Sequence, residues 1–396
     1  MRGCLVTVLL SLLAVPSASA AEPFFQSLAI FPPEQKHNHA SCVIELANGD
    51  LLAAWYTGTG ERSADDVFIQ GAWLPTGRAI WGPRFTLADT PGYPDCNPAL
   101  FAAPDSTIWL FWPTIIDHQW ESALLKFAKA SDNGDHSIPI HWTREGVIHI
   151  TPKALDAAMK DAIASLPEAA RVFAKTHLDR LASRSKDQLY QRLGWMPRVH
   201  PTVLPSGRWL LPLYSDTFDA SLIAITDDQG ATWSSSTPII GFGNIQPSLV
   251  RKNNGQIVAF MRENGPQRKI RLSTSSDNGQ TWGPVTNSSL PNPGAGVEAV
   301  RLASGRWAIV YNDSVKGRNS LALSLSEDEG ANWKYTRHIE RQPSPKAQFH
   351  YPSLMQSRDG RIHVTYTHRG ADEGSTIQHA VFNEPWVVEG DIPSVH

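Results

Sequence analysis

Ser275-Ser276-Asp277-Asn278-Gly279-Gln280-Thr281-Trp282 is a stretch that the chain repeats. Thr226-Asp227-Asp228-Gln229-Gly230-Ala231-Thr232-Trp233 and Ser326-Glu327-Asp328-Glu329-Gly330-Ala331-Asn332-Trp333 have the same form, and Ala130-Ser131-Asp132-Asn133-Gly134 keeps half of it. The shared pattern is Ser/Thr-x-Asp-x-Gly-x-x-Trp. Asp and Asn side chains bond the backbone of their own turn, Gly takes a positive φ, and Trp packs beneath. One copy says little. Three full copies at a fixed period point to a repeat architecture.

A second signal runs beside the first. Two short apolar runs flank each of six turns: Asn48-Gly49, Asp105-Ser106, Ser206-Gly207, Asn254-Gly255, Ser304-Gly305 and Asp359-Gly360. Each reads as a β-hairpin, followed by a third strand and then a box or degenerate box leading into a fourth. Six such units at about fifty-residue spacing predict an all-β chain, a six-bladed β-propeller with four-stranded antiparallel blades. Trp233 and Trp282 are 49 residues apart, Trp282 and Trp333 51, but Trp142 and Trp233 91. The excess is a helical insert between blades two and three, about residues 151–192, rich in Ala, Leu, Lys and Glu and split in two by Pro167. The last blade has no box, and the Phe24 to Phe31 strand is expected to complete it and close the ring.

With 14 Trp, 28 Gly and 29 Pro but only 18% charged residues, composition suits turn-rich β structure. A net charge of -3 carries no polyanion-binding signature, so nucleic acid is not an expected partner. Residues 1–20 read as a signal peptide: Arg2 at the start, Leu5 to Val15 as the apolar run, Ala18-Ser19-Ala20 as the cleavage site. The run is too short to span a bilayer, so an exported chain with no membrane span is expected, a single propeller domain over residues 21–396. Cys4 leaves with the leader, and the remaining Cys42 and Cys96 could pair.

If each blade starts at the central channel, polar residues just ahead of the first strands converge on one mouth. These are His39, Asn97, His200, Gln246, Glu298 and Tyr351. Loops joining second to third strands add Glu61, Asp65 and Asp66, then Arg262, Arg318, His368 and Arg369. The insert should overhang the same mouth. Arginines with carboxylates, histidines and a tyrosine suit an acidic ligand and proton transfer. His37-Asn38-His39 is weak as a metal motif, and neither metal nor cofactor is expected.

On these motifs the chain resembles the sialidase (neuraminidase) superfamily with Asp-box, or BNR, repeats, over about Lys36 to Phe382. The boxes are specific for the fold and uninformative about function. Sialidases hold a substrate carboxylate with three Arg, use Tyr with a neighbouring Glu as nucleophile, and use Asp as acid/base. The resemblance places the second and third Arg at Arg262 and Arg318, the Tyr at Tyr351, and the acid/base at Asp65 or Asp66, with Asp66 favoured because it directly precedes the strand. Two positions depart: His39 stands for the first Arg and Gln246 for the Glu. Gln cannot accept a proton, and Glu298 is a replacement base only if it reaches Tyr351. The resemblance implies an exo-glycosidase of sialidase type acting on an acidic carbohydrate. A polysaccharide lyase acting on a uronic acid, with Arg262 or Gln246 meeting the carboxylate and His39, His200 or Tyr351 moving protons, is one alternative. A non-catalytic glycan-binding propeller is the other.

Overall fold

Each box forms the turn its residues demand. In the first, Thr226 Oγ1 donates to Asp228 Oδ1 at 2.7 Å, and the amides of Gly230 and Thr232 donate to Thr226 Oγ1 and Asp228 Oδ1, both at 2.9 Å. Asp277 and Asp328 accept in the same way from Thr281 N at 2.9 Å and Asn332 N at 2.7 Å. The chain reverses through two left-handed residues, Gln229 at φ 56° and Gly230 at φ 81°. These turns also join neighbouring blades. Gly230 lies on the Trp109 ring of the preceding blade, so close that a Cβ there would meet the ring at 2.6 Å. Trp233 packs edge-on against Phe111 of that blade at 5.9 Å, and Trp333 against Phe260 at 5.8 Å.

A computed structural model describes residues 21–132, 134–370 and 374–391; the expected signal peptide lies outside the described residues. The strands form a six-bladed β-propeller. Blade one runs His37–Glu45, Leu51–Gly58, Phe68–Leu74 and Phe85–Ala88 from the inside outward. Ala99–Ala102, Thr202–Val203, Asn244–Arg251, Glu298–Arg301 and Gln348–Gln356 lie innermost in blades two to six. Phe25–Ala29 pairs antiparallel with Ser375–Phe382 and supplies the outer strand of blade six. Second strands form the core: every residue of Leu51–Gly58 is buried, and Trp55, Trp109, Trp209 and Trp307 follow their hairpin turns into it. Each such ring contributes roughly 2–3 kcal/mol by leaving water.

The insert lies between blades two and three as four helices, Leu155–Ser165, Glu168–Phe173, Lys175–Arg184 and Gln188–Arg192. Pro167 makes the expected break. Two further breaks come where Ala174 leaves helical geometry (φ -97°, ψ 14°) and where Asp187 caps the last helix by accepting from Leu189 N at 2.8 Å. Leu155, Met159, Leu178 and Leu181 bury the insert's apolar face against blades two and three. Arg184 Nη1 meets Glu121 Oε1 at 3.1 Å in a loop at the mouth, so the insert flanks the mouth. Among the described residues no helix is long and apolar enough to cross a membrane.

The channel is crossed below the mouth. Arg198 of blade three, 2% exposed, donates Nη2 to the carbonyl of Pro352 in blade six at 2.7 Å. His200 Nδ1 meets Glu298 Oε1 of blade five at 2.7 Å, and Glu298 Oε2 accepts from Leu354 N of blade six at 2.9 Å. His200 Nε2 reaches Val43 O of blade one at 2.8 Å. Cys42 and Cys96 do not pair: both are free and buried, and the Cys42 sulfur faces His200 Nε2 at 3.2 Å while accepting from Leu100 N.

Gly230→Ala would set a Cβ against Trp109 at a positive φ, at an expected cost of roughly 2–4 kcal/mol; denaturant titration measures it. Burial works against the His200 imidazolium, but Cys42 and Glu298 outweigh it and raise its pKa well above the usual value. A raised folded-state pKa gives stability that is complete below the unfolded value of about 6.5 and is lost as pH rises through the folded value. Melting temperature should therefore fall on the alkaline side of neutrality, and His200→Gln should flatten that dependence.

Candidate active site

Inner-strand bulges aim the central side chains. Pairing registers shift between His39 and Cys42, between Ile245 and Ser248, and between His350 and Ser353. Ala40, Gln246 and Tyr351 sit there at φ 55°, 56° and 46°, and Asn97 takes φ 44° just ahead of its strand. Pro98, Pro247 and Pro352 follow three of these, and proline withholds the amide that a regular ladder would use. A bulge turns a side chain out of register, here toward the channel mouth. Non-glycine residues pay about 1–3 kcal/mol to hold such backbone.

Tyr351 is the centre. Its oxygen takes hydrogen bonds from Gln246 Nε2 at 3.1 Å and Arg262 Nη1 at 2.9 Å. The His39 ring stacks on its ring at 4.5 Å, and the Arg198 guanidinium lies 4.8 Å from the ring centre. Gln246 thus occupies the place beside the hydroxyl. Glu298 does not: both its oxygens are committed to His200 and Leu354, and with His200 it lines a separate cavity of about 350 Å³. Asn97 donates to Tyr214 at 3.1 Å.

Above Tyr351 lies a cavity of about 490 Å³. Arg262 is the last residue but one of the second strand of blade four, Arg369 ends that of blade six, and Arg318 comes from the loop before the third strand of blade five; all three line it. His39, Lys36, Glu61 and His350 complete its charged and titratable wall together with His37. Arg318 is held by Gly294 O at 2.7 Å and His350 Nδ1 at 2.6 Å, and His39 Nδ1 by Thr367 Oγ1 at 3.0 Å. Burial pushes the His39 pKa well down, helped by His350 and nearby arginines; burial and Arg318 push His350 down to about 3. Both are therefore neutral at neutral pH, and the positive field comes from Arg and Lys.

The carboxylates of residues 59–66 go three ways. Asp65 Oδ1 meets His118 Nε2 at 2.6 Å. Asp66 is exposed; burial pushes its pKa up, but hydrogen bonds from Thr59 N at 3.1 Å and Oγ1 at 2.8 Å outweigh this and hold it low. Neither lines the cavity. Glu61 does, with Oε1 accepting from the buried Tyr56 hydroxyl at 2.5 Å. Asp216, in the mouth-side loop of blade three, has its pKa pushed up to about 6 by burial against the pull of Arg262.

His39, Arg262, Arg318, Tyr351 and Arg369 thus share the cavity, Gln246 lies at its floor, Asn97 pairs with Tyr214, and His200 and Glu298 belong to the channel below. Sequence reasoning did not find Arg198 or His350. His350 precedes Tyr351 directly, so the bulge was its one available signal; nothing local marks Arg198. His37 and His39 approach at 5.3 Å, and among the described residues no three His, Cys, Asp or Glu are grouped to hold a metal.

The model of the BNR repeat-like domain family matches residues 49–159 and 183–364, breaking at the insert. A sialidase of Micromonospora viridifaciens is 24% identical over 172 residues, 41% of this chain and only 25% of that protein's length. A protein of unknown function from Dyadobacter fermentans superposes with TM-score 0.67 at 15% identity, covering 91% of this chain and 99% of its own. The NanB sialidase of Streptococcus pneumoniae superposes with TM-score 0.67 at 13% identity, covering 91% and 71%. With three quarters of its length matched by the family model, the chain belongs to the BNR repeat-like domain family, and it shares the fold of these structures.

Proposed function

We propose that this chain is an exported glycoside hydrolase of sialidase type that removes a terminal sugar bearing a carboxylate. The observation that carries the reading is Tyr351, bulged out beneath a cavity walled by Arg262, Arg318 and Arg369. Planar guanidinium forks match a carboxylate better than any other side chain. They fix an acidic sugar with its carboxylate among the arginines and its anomeric carbon over Tyr351. A phenol suits that position, because a carboxylate nucleophile beside the sugar's own carboxylate would be repelled. As the glycosidic bond breaks, positive charge grows on the anomeric carbon and the Tyr351 oxygen meets it. Gln246 and Arg262 donate to that oxygen and hold it in place beneath the carbon. Export rests on the leader-like features of residues 1–20.

Elimination from a uronic acid is the second reading. It is favoured by the lack of a carboxylate at the Tyr351 hydroxyl and by the neutral His39 stacked on its ring. There the arginines would stabilise the carboxylate while a proton leaves the adjacent carbon.

Mass spectrometry of products from sialosides and uronic-acid polysaccharides separates the readings. Free acidic sugar with water added at the cut is expected; unsaturated uronate would replace hydrolysis by elimination; an unchanged panel would leave glycan binding. Tyr351→Phe should lower turnover by about 10³-fold or more while the chain stays folded. Arg318→Gln should raise KM about 10- to 100-fold, as loss of a charge-assisted hydrogen bond does, with a smaller change in kcat.

A further inference from the structure

We propose that Glu61, rather than Asp66 or Asp65, is the proton donor at this site, an assignment that rests on the hydrolase reading above. Glu61 is the single carboxylate among the described residues lining the cavity that also holds Tyr351, Arg262 and Arg318. The other two acids of its loop do not line that cavity and are engaged by other groups. Asp65 is paired with His118, and both oxygens of Asp66 accept from the Thr59 amide at 3.1 Å.

The support behind Glu61 is built for one orientation. Tyr56 is completely buried in the second strand of blade one and donates its hydroxyl to Oε1, while His37 Nε2 lies 3.4 Å from the same hydroxyl. Oε2, the oxygen Tyr56 does not hold, lies 3.6 Å from Arg62 Nη1. A carboxyl group fixed through one oxygen presents the other in a defined direction, as a general acid requires.

The step balances with the groups present. The O–H bond at Glu61 Oε2 breaks and its proton goes to the glycosidic oxygen. That oxygen keeps the electron pair of its bond to the anomeric carbon as the bond breaks, and the aglycone leaves as an alcohol. Water then adds to the anomeric carbon, and Glu61, now a carboxylate, takes the proton that water gives up. Tyr351 holds the positive carbon between the two events.

A lost general acid is felt most by leaving groups that need protonation, so two probes decide the matter: 3′-sialyllactose, whose leaving group is a sugar alcohol, and 4-methylumbelliferyl α-sialoside, whose leaving group is an acidic phenol. Glu61→Gln is nearly isosteric at a half-exposed position. It should lower kcat on sialyllactose about 10²- to 10⁴-fold, but on the aryl sialoside by less than about tenfold. Asp66→Asn should leave both within about threefold. A Glu61→Gln loss equal on the two probes, no loss at all, or the split appearing in Asp66→Asn would overturn the assignment while hydrolysis stood. A wild-type chain inert on both probes would overturn the sialoside reading and this assignment together.

Discussion

The contact on which the site depends is the guanidinium of Arg198 lying across the channel. A cation with 2% of its surface exposed sits beneath the Tyr351 ring and is hydrogen-bonded to the carbonyl next to it. A buried charge is costly unless opposed, and Glu298, across the channel, opposes it. Glu298 in turn orients His200 and anchors the Leu354 amide. One small network therefore joins blades one, three, five and six at the axis, where a ring of blades would otherwise enclose a hole. It also fixes the strained Tyr351–Pro352 backbone from below, so the hydroxyl faces Gln246 and Arg262.

The cavity above separates charge from proton-binding capacity. His39 and His350 lie among arginines that, with burial, strip them of protons, leaving neutral rings to stack and to accept hydrogen bonds. Arg262 and Arg318 keep charge where imidazoles cannot. His39 thus brings no positive charge to its position and lends ring surface against Tyr351 instead.

Most of the fold was legible because its signals are local. A box turn specifies its own hydrogen bonds within eight residues, and a hairpin its own register, so counting them gave the blades and even the closing strand. The site was legible in part. Position along an inner strand identifies which residues head for the channel and located Tyr351, while the loops joining second to third strands located Arg262, Arg318 and Arg369. It does not reveal which way a side chain turns there: Tyr351 and Gln246 sit on bulges and point to the mouth, while His200 and Glu298, without a positive φ, bond each other below. Arg198 was invisible because its meaning depends on a residue 154 positions away. The insert's extra helix breaks followed from Ala174 and from an Asp187 cap, neither of which interrupts the helical composition.

The pairing of Phe25–Ala29 with Ser375–Phe382 has a consequence for the order in which the molecule can be made. The earliest described strand to leave the ribosome is matched with the latest, so it waits unpaired while all six inner strands are synthesised. Until then the ring is an arc with two open sheet edges, the kind of surface on which other chains can add. Because Tyr351 and Arg369 belong to the blade that this pairing completes, closure and assembly of the cavity are one event. No shorter arc of blades contains the site.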